Sequence, residues 1–259
     1  MSENEITKEI VITSHNNEVQ VALLEDKKLV EIHSEKASSQ FSVGDIYLGK
    51  VRKIMPGLNA AFVDVGSEKD AFLHYLDLGV HARTVNAFVS QAITTGKRSI
   101  SRVQYLEDVP KNGKISDVLT SGQQIMVQVA KEPISTKGPR ITTEISFAGR
   151  YLVLVPFGDK VSVSQKIRST AERKRLKSLV QGIKPRNFGV IIRTVAENKS
   201  VEELSSDLDQ LRYKWDTAVE NLFASKAPMR IIQEMDCVTT MMRDLLNDSF
   251  HAIYVDNQE

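Results

Sequence analysis

Apolar and polar positions alternate in short runs over much of this chain, the two-residue period of half-buried β-strands. Ile6–Ile12 and Glu18–Leu24 predict two strands turning through His15-Asn16-Asn17, and Lys28–Ile32 predicts a third. Ile46–Ile54 and Ala60–Val65 continue the pattern, with turns at Pro56-Gly57 and Gly66-Ser67, and Gly122–Lys131 reads as a closing strand. Residues 41–131 therefore predict a small antiparallel barrel of about 90 residues. The rhythm breaks at 79–116, where Ala82–Ile93 predicts a short helix inside a long insertion. Its Lys97, Arg98 and Arg102 either extend a path for a polyanion or sit on a solvated loop.

From Arg140 the alternation resumes in Ile141–Phe147, Tyr151–Pro156 and Val161–Ile167. Ser169-Thr-Ala-Glu172 is a capping-box pattern opening a basic helix that ends near Gly182 and Pro185, and Gly189–Thr194 returns as a strand. Residues 132–199 thus predict a small β-β-β-α-β domain. A second capping box, Ser200-Val-Glu-Glu203, opens the clearest helix, with Val201, Leu204, Leu208, Leu211, Trp215, Val219, Leu222 and Phe223 on one stripe. A short strand around Arg230–Gln233, a helix at Val238–Asn247 and a strand at Ala252–Val255 follow. Neither these C-terminal elements nor the first three strands have a partner of their own, and three strands alone are marginal. The economical expectation is one discontinuous α/β domain with the barrel and the basic domain inserted.

Composition changes this picture little: 259 residues, 41% apolar and 26% charged, allow one large domain or two or three small ones of ordinary composition. No apolar run is long enough to span a bilayer, and the acidic start lacks the marks of a secretory signal, so a cytoplasmic location is expected. A single cysteine, Cys237, excludes an internal disulfide or a paired-thiol zinc site and is expected as a small buried residue. Charge is more informative. The net charge is only +1, yet residues 131–187 hold thirteen basic side chains against four acidic ones, and the balance reverses beyond. That asymmetry points to a polyanion partner on one face.

The barrel segments Val43-Gly44, Gly49-Lys50-Val51, Pro56-Gly57-Leu58, Ala61–Gly66, Ala71–His74 and Gly122-Gln123 come in the order of the S1 RNA-binding domain, a form of the OB-fold, which this region resembles. Aromatic rings on such a barrel stack unpaired bases, and nearby lysines follow the phosphates. Phe62 and Phe72 are the stacking candidates; the alternative for either ring is the barrel interior. With Tyr47-Leu-Gly-Lys-Val51, Leu58–Gly66, Thr136-Lys-Gly-Pro-Arg140, Ser146–Pro156, Gly189–Thr194 and Trp215 added, the whole chain resembles the N-terminal half of the ribonuclease E/G family.

That resemblance implies an α+β multidomain fold. A discontinuous RNase H-like α/β subdomain (1–40 and 200–259) would contain an inserted S1/OB-fold β-barrel (41–131) and a small α+β 5′-sensor domain (132–199). It implies a single-strand-specific endoribonuclease of ribosomal RNA processing and messenger decay, favouring RNA with a 5′-monophosphate and assembling as a homo-oligomer. By position, Arg193 and Thr194 match the pair that grips the terminal phosphate, and Gly149 and Val153 the backbone against the end nucleotide. A guanidinium fork, a hydroxyl and free amides would complete the oxygen shell. Lys131 and Lys137 match lysines near the RNA strand. One departure is Ser164-Gln165-Lys166-Ile167, where many members carry two adjacent basic residues, so one contact is missing.

The magnesium-binding carboxylates and the zinc-holding cysteine pair of the family lie beyond the matched region. No catalytic or metal residue and no cofactor is therefore expected in this chain, and Tyr254–Glu259 ends within a strand-and-turn run, as a chain that continues would. Asp244 and Asp248 share a helix face but read as a solvated pair, Asp64 reads as structural, and no nucleophile–histidine grouping or phosphate-cradling glycine loop is visible. The alternative from another class is a non-catalytic S1-type RNA-binding regulatory protein.

Overall fold

A computed structural model describes residues 6–15, 18–36, 41–96, 99–235, 237–247 and 249–256, with only the backbone of Glu35, Lys36 and Cys237. Its strands are β1 (Lys8–His15), β2 (Glu18–Glu25), β3 (Lys28–Lys36), β4 (Ile46–Met55), β5 (Ala60–Asp64), β6 (Ala71–His74), β7 (Gln124–Lys131), β8 (Arg140–Thr142), β9 (Phe147–Ala148), β10 (Leu152–Pro156), β11 (Val161–Val163), β12 (Phe188–Ile192), β13 (Met229–Ile232) and β14 (Phe250–Val255). Four helices accompany them: α1 (Ala82–Thr95), α2 (Thr170–Ile183), α3 (Val201–Leu222) and α4 (Cys237–Leu245). The chain divides into two units, one formed by residues 1–40 with 235–259 and the other by residues 41–234.

In the smaller unit the sheet order is β14-β1-β2-β3. β1 pairs antiparallel with β2 and parallel with β14, so the first strand is completed by one more than 240 residues away. Ile10, Ile12 and Val21 meet Val238, Met241 and Leu245 of α4 in a small core. Apolar residues on one face of a hairpin need such a cover, because two or three strands alone bury too little to hold.

The larger unit is built on a closed five-stranded barrel, β4-β5-β6-β8-β7 and back to β4, an α+β architecture consistent with an S1/OB-like fold. Ala61, Val63, Val65, Ala71 and Leu73 fill the interior with Tyr47, Ile125, Val127 and Ile141, while Ile46, Leu48 and Met126 of the same strands are buried in the neighbouring core. The boundary expected at 131/132 falls inside this barrel. Arg140–Thr142 belongs to it, as the strand that bridges β6 and β7.

The insertion at 79–116 is not a plain solvated loop. α1 buries Val85, Phe88, Val89 and Ala92, and the segment after it contributes Ile100, Val109 and Ile115. Arg102 lies exposed after α1, whereas Lys97 and Arg98, like Asn16, Asn17 and Asp248, fall outside the described residues. Beside the barrel, a sheet of order β11-β12-β10-β9 packs with α1, α2 and α3 around Trp215, which is 1% exposed. Phe88, Phe147, Phe157 and Phe188 surround that indole, with centroids 5.7–6.3 Å away. Thus α3 belongs with the central unit and not with the N-terminal strands, and β13 pairs with barrel strand β4. The stripe ends at Leu222, since Phe223 is 48% exposed.

Both predicted N-caps form, but only one is a full capping box. At α3 Ser200 and Glu203 cap each other reciprocally. At α2 Ser169 accepts from the Glu172 N–H, while the Glu172 carboxylate is taken up elsewhere. It receives Nε and Nη2 of Arg175, each at 2.7 Å, and the Asn198 N–H at 2.8 Å. The Arg175 contacts first, and then the Asn198 amide, hold this carboxyl down from 4.5 to about 2. A depressed folded-state pKa stabilises fully above the unfolded value and is lost as pH falls through the folded one. We therefore expect the stability gap between wild type and Glu172→Gln to be constant near neutrality and to close between pH 4.5 and about 2, read by chemical denaturation across that range.

Candidate RNA-binding surface

Phe62 and Phe72 sit on the outer face of the barrel because their neighbours Ala61, Val63, Ala71 and Leu73 take the inner one. The two are cross-strand partners, edge to face with centroids 5.8 Å apart, and His74 extends the row from Phe72 at 6.4 Å. Both rings are half-buried, so the interior alternative is not the one adopted. They line a cleft of about 680 Å³ together with Lys69, Lys131, Ile134, Lys137 and Arg140. All four residues singled out for this surface thus meet in one place.

The walls of the cleft are held by backbone geometry. The turn between β7 and β8 closes through an Ile134–Lys137 bridge, with the Lys137 N–H donating to the Ile134 carbonyl at 3.0 Å. At Gly138 a Cβ would stand 2.3 Å from the Asp70 carbonyl oxygen, so only glycine allows this turn to lie against the loop before β6. Arg140 is fixed by a two-pronged pair with Asp77, at 2.9 and 2.8 Å. Ile134, 70% exposed at the lip, was not singled out from the sequence because no periodicity marks a turn residue, and Arg140 was named only within the Thr136–Arg140 motif and as the start of a strand.

A second constellation gathers around Gly149. Nη1 of Arg193 donates to the Gly149 carbonyl at 2.6 Å, and the Arg193 N–H donates to the Tyr151 carbonyl at 2.8 Å. Next along the chain, the Thr194 hydroxyl lies 2.9 Å from that of Ser164. Val153 is in the adjoining ladder, opposite Ile191 and Ala148. The ring of Tyr151 is flanked by the Arg150 guanidinium at 5.6 Å and the Lys199 ammonium at 5.4 Å from its centroid. Gln165 is exposed.

Here the expectation of free backbone amides is corrected. The carboxylate of Asp207, on α3, accepts the N–H groups of Arg150 (3.0 Å), Tyr151 and Leu152 (each 2.9 Å), and the Gly149 N–H donates to the Leu152 carbonyl. All four amides of this loop are therefore spent on protein acceptors. A Cβ at Gly149 would lie 2.5 Å from an Asp207 oxygen, so the glycine is needed for close approach. Asp207 was missed because it lies beside the apolar stripe of α3; its signal was an acid next to Leu208 on a buried helix face.

A few residues of the basic block are spent on the protein itself. Arg175 serves Glu172, and Lys184 donates to the Phe188 carbonyl, while Arg173, Lys174 and Lys177 stay exposed along α2. Among the described residues no three His, Cys, Asp or Glu side chains converge as a metal site. Asp244 is engaged by Arg243 at 2.8 Å, and Asp64 receives the Gly66 N–H and Arg52, as a structural carboxylate would. These residues do not fit a magnesium centre. No described helix is long and apolar enough to cross a membrane.

The fold and the cleft together define a closed five-stranded barrel, consistent with an S1/OB-like fold, that carries aromatic and basic side chains side by side on its outer face. Residues 146–259 match the family model of the Ribonuclease E/G family. The chain is 35% identical to Ribonuclease G of Haemophilus influenzae over 250 residues, 96% of this chain and 48% of that protein. It is 34% identical to Ribonuclease G of Escherichia coli over 253 residues, again 48% of that protein, and 33% identical to Ribonuclease E of a Nostoc species over 246 residues, 32% of it. The chain belongs to the ribonuclease E/G family, and it spans about half the length of the Ribonuclease G relatives it matches.

Proposed function

We propose that this chain is the RNA-binding and 5′-monophosphate-sensing portion of a single-strand-specific endoribonuclease that acts in ribosomal RNA processing and messenger decay in the cytoplasm. The observation that carries the reading is the meeting of Phe62, Phe72, Lys131 and Lys137 in one open cleft on the outside of the barrel. Half-exposed rings in a cross-strand pair offer faces to unpaired bases, and the ammonium groups beside them neutralise the strand. A duplex would keep its bases stacked on each other, so the surface favours single strands.

In this reading the barrel is an S1 domain, the β9–β12 sheet with α2 is the 5′ sensor, and the smaller unit belongs to an RNase H-like subdomain. The terminal phosphate is taken by the guanidinium of Arg193, oriented by the Gly149 carbonyl, and by the Thr194 hydroxyl. Donors come from side chains, since the loop amides are committed to Asp207. In the whole enzyme, carboxylates outside this chain would hold the magnesium whose chemistry serves hydrolysis, and that enzyme would be a homo-oligomer.

The test is the affinity of one short single-stranded RNA carrying either a 5′-monophosphate or a 5′-hydroxyl, at one fixed salt concentration. The monophosphate should bind about tenfold more tightly, as charge-assisted hydrogen bonds of this kind allow. Arg193→Ala should erase the difference and leave the 5′-hydroxyl RNA unchanged. Equal affinities in the wild type would remove the sensor assignment and leave an RNA-binding barrel.

A further inference from the structure

Among the described residues, Arg140 is the one cation of the Phe62–Phe72 cleft that a carboxylate holds. It stands opposite Phe72 in one ladder and Lys131 in the other, and Ile141 beside it takes the barrel interior, so Arg140 leaves on the outer face next to Phe72. The Asp77 carboxylate accepts from Nε and Nη2, which form one edge of the guanidinium. Asp77 is itself pinned, since its carbonyl accepts the Thr142 hydroxyl at 2.7 Å and the Thr143 N–H at 3.1 Å. The other edge, Nη1 with the second hydrogen of Nη2, points away from that carboxylate. Arg140's side chain is 44% exposed and Asp77's 17%, so the carboxylate is the inner member of the pair and the remaining edge faces solvent.

A guanidinium held in this way differs from a free lysine in two respects. Its plane is fixed before anything binds, so little rotamer freedom is left to lose. Its charge is met by Asp77, and a phosphate brought to it would also approach a carboxylate. What suits the open edge is a neutral group with two adjacent acceptors. Guanine offers N7 and O6, and a cytosine left unpaired offers N3 and O2. Adenine and uracil alternate donors with acceptors and present the fork with a single acceptor. Phe72, the neighbour of Arg140 across the ladder, supplies the face on which such a base stacks.

We infer that Arg140, buttressed by Asp77, is a specificity-determining residue that reads the edge of a base stacked on Phe72 and gives the cleft a preference for guanine or cytosine. The inference rests on the reading of this cleft as a site for single-stranded RNA.

The test uses the whole chain and short uridine oligonucleotides with a 5′-hydroxyl, carrying one central guanosine, adenosine or cytidine, or none. Guanosine is compared with adenosine and cytidine with uridine, so that purine stacking is matched by purine. The preferred base should bind about fivefold or more tightly than its match. A preference in the purine pair assigns guanine, and one in the pyrimidine pair assigns cytosine. Arg140→Lys keeps the charge without the fork and should abolish the preference while leaving the all-uridine affinity unchanged. Asp77→Asn should weaken the preference and steepen the salt dependence, because a released guanidinium follows phosphates. Binding that Phe62→Ala weakens but that is equal for all four bases overturns the role of Arg140 and leaves the cleft as an RNA site. So does a preference left intact in Arg140→Lys, or a loss in Arg140→Gln that is the same for every base and lowers the salt slope by about 0.7, the mark of a phosphate contact. Absence of binding to any of the oligonucleotides removes the reading of the cleft itself, and this inference with it.

Discussion

Asp207→Ala should cost about 3–5 kcal/mol of stability, because it removes at once the acceptor of one buried and two partly buried N–H groups. The three donors, on Arg150, Tyr151 and Leu152, are the turn between β9 and β10, and Asp207 is 8% exposed, so water cannot readily replace it. The same turn presents the Gly149 carbonyl that orients Arg193. The variant should therefore also lose discrimination between 5′-monophosphate and 5′-hydroxyl RNA where it remains folded. Asp207→Asn keeps one carbonyl oxygen and should lose less. Gly149→Ala meets the carboxylate from the other side, with its Cβ 2.5 Å from the Asp207 oxygen. The pair should consequently be coupled, the double variant Gly149→Ala/Asp207→Ala costing clearly less than the two singles together. Urea midpoints with unchanged m-values would measure this. A loss below about 1 kcal/mol for Asp207→Ala would show that the turn holds itself.

Phe62→Ala and Phe72→Ala should each weaken single-stranded RNA binding by about five- to a hundredfold, the worth of one stacked base. The loss should be the same for RNA with a 5′-monophosphate and with a 5′-hydroxyl, and the dependence on salt should not change. Lys137→Ala, by contrast, should lower the salt slope by about 0.7, one phosphate contact on a single strand. Since both rings lie outside the barrel core, the alanine variants should fold. Unchanged RNA affinity in a folded Phe62→Ala variant would sink the stacking role. Because the rings touch each other, the double variant tests whether they act as one platform.

These two predictions draw on the sequence to different degrees. The Phe62–Phe72 platform was legible because a two-residue period assigns every second side chain of β5 and β6 to the outside once Ala61, Val63, Ala71 and Leu73 are taken as core. Only the inner or outer choice was open, and barrel closure made it. The Asp207 contact was not legible. It joins residues more than 50 positions apart, and an aspartate beside an apolar stripe looks the same whether it meets water or three backbone amides.

What the sequence determined by itself is what local chemistry controls: the strands by alternation, α2 and α3 by the Ser169 and Ser200 caps and the 3.6-residue stripe, and kinship with the ribonuclease E/G family by its motifs. Tertiary structure alone decided the rest. It put β8 into the barrel and α3, with Trp215, among the phenylalanines, paired β14 with β1, and spent four loop amides on Asp207 and Leu152. The reason is that propensity and period act over a few residues, whereas strand partners and buried hydrogen bonds are chosen by which distant surfaces exclude water together.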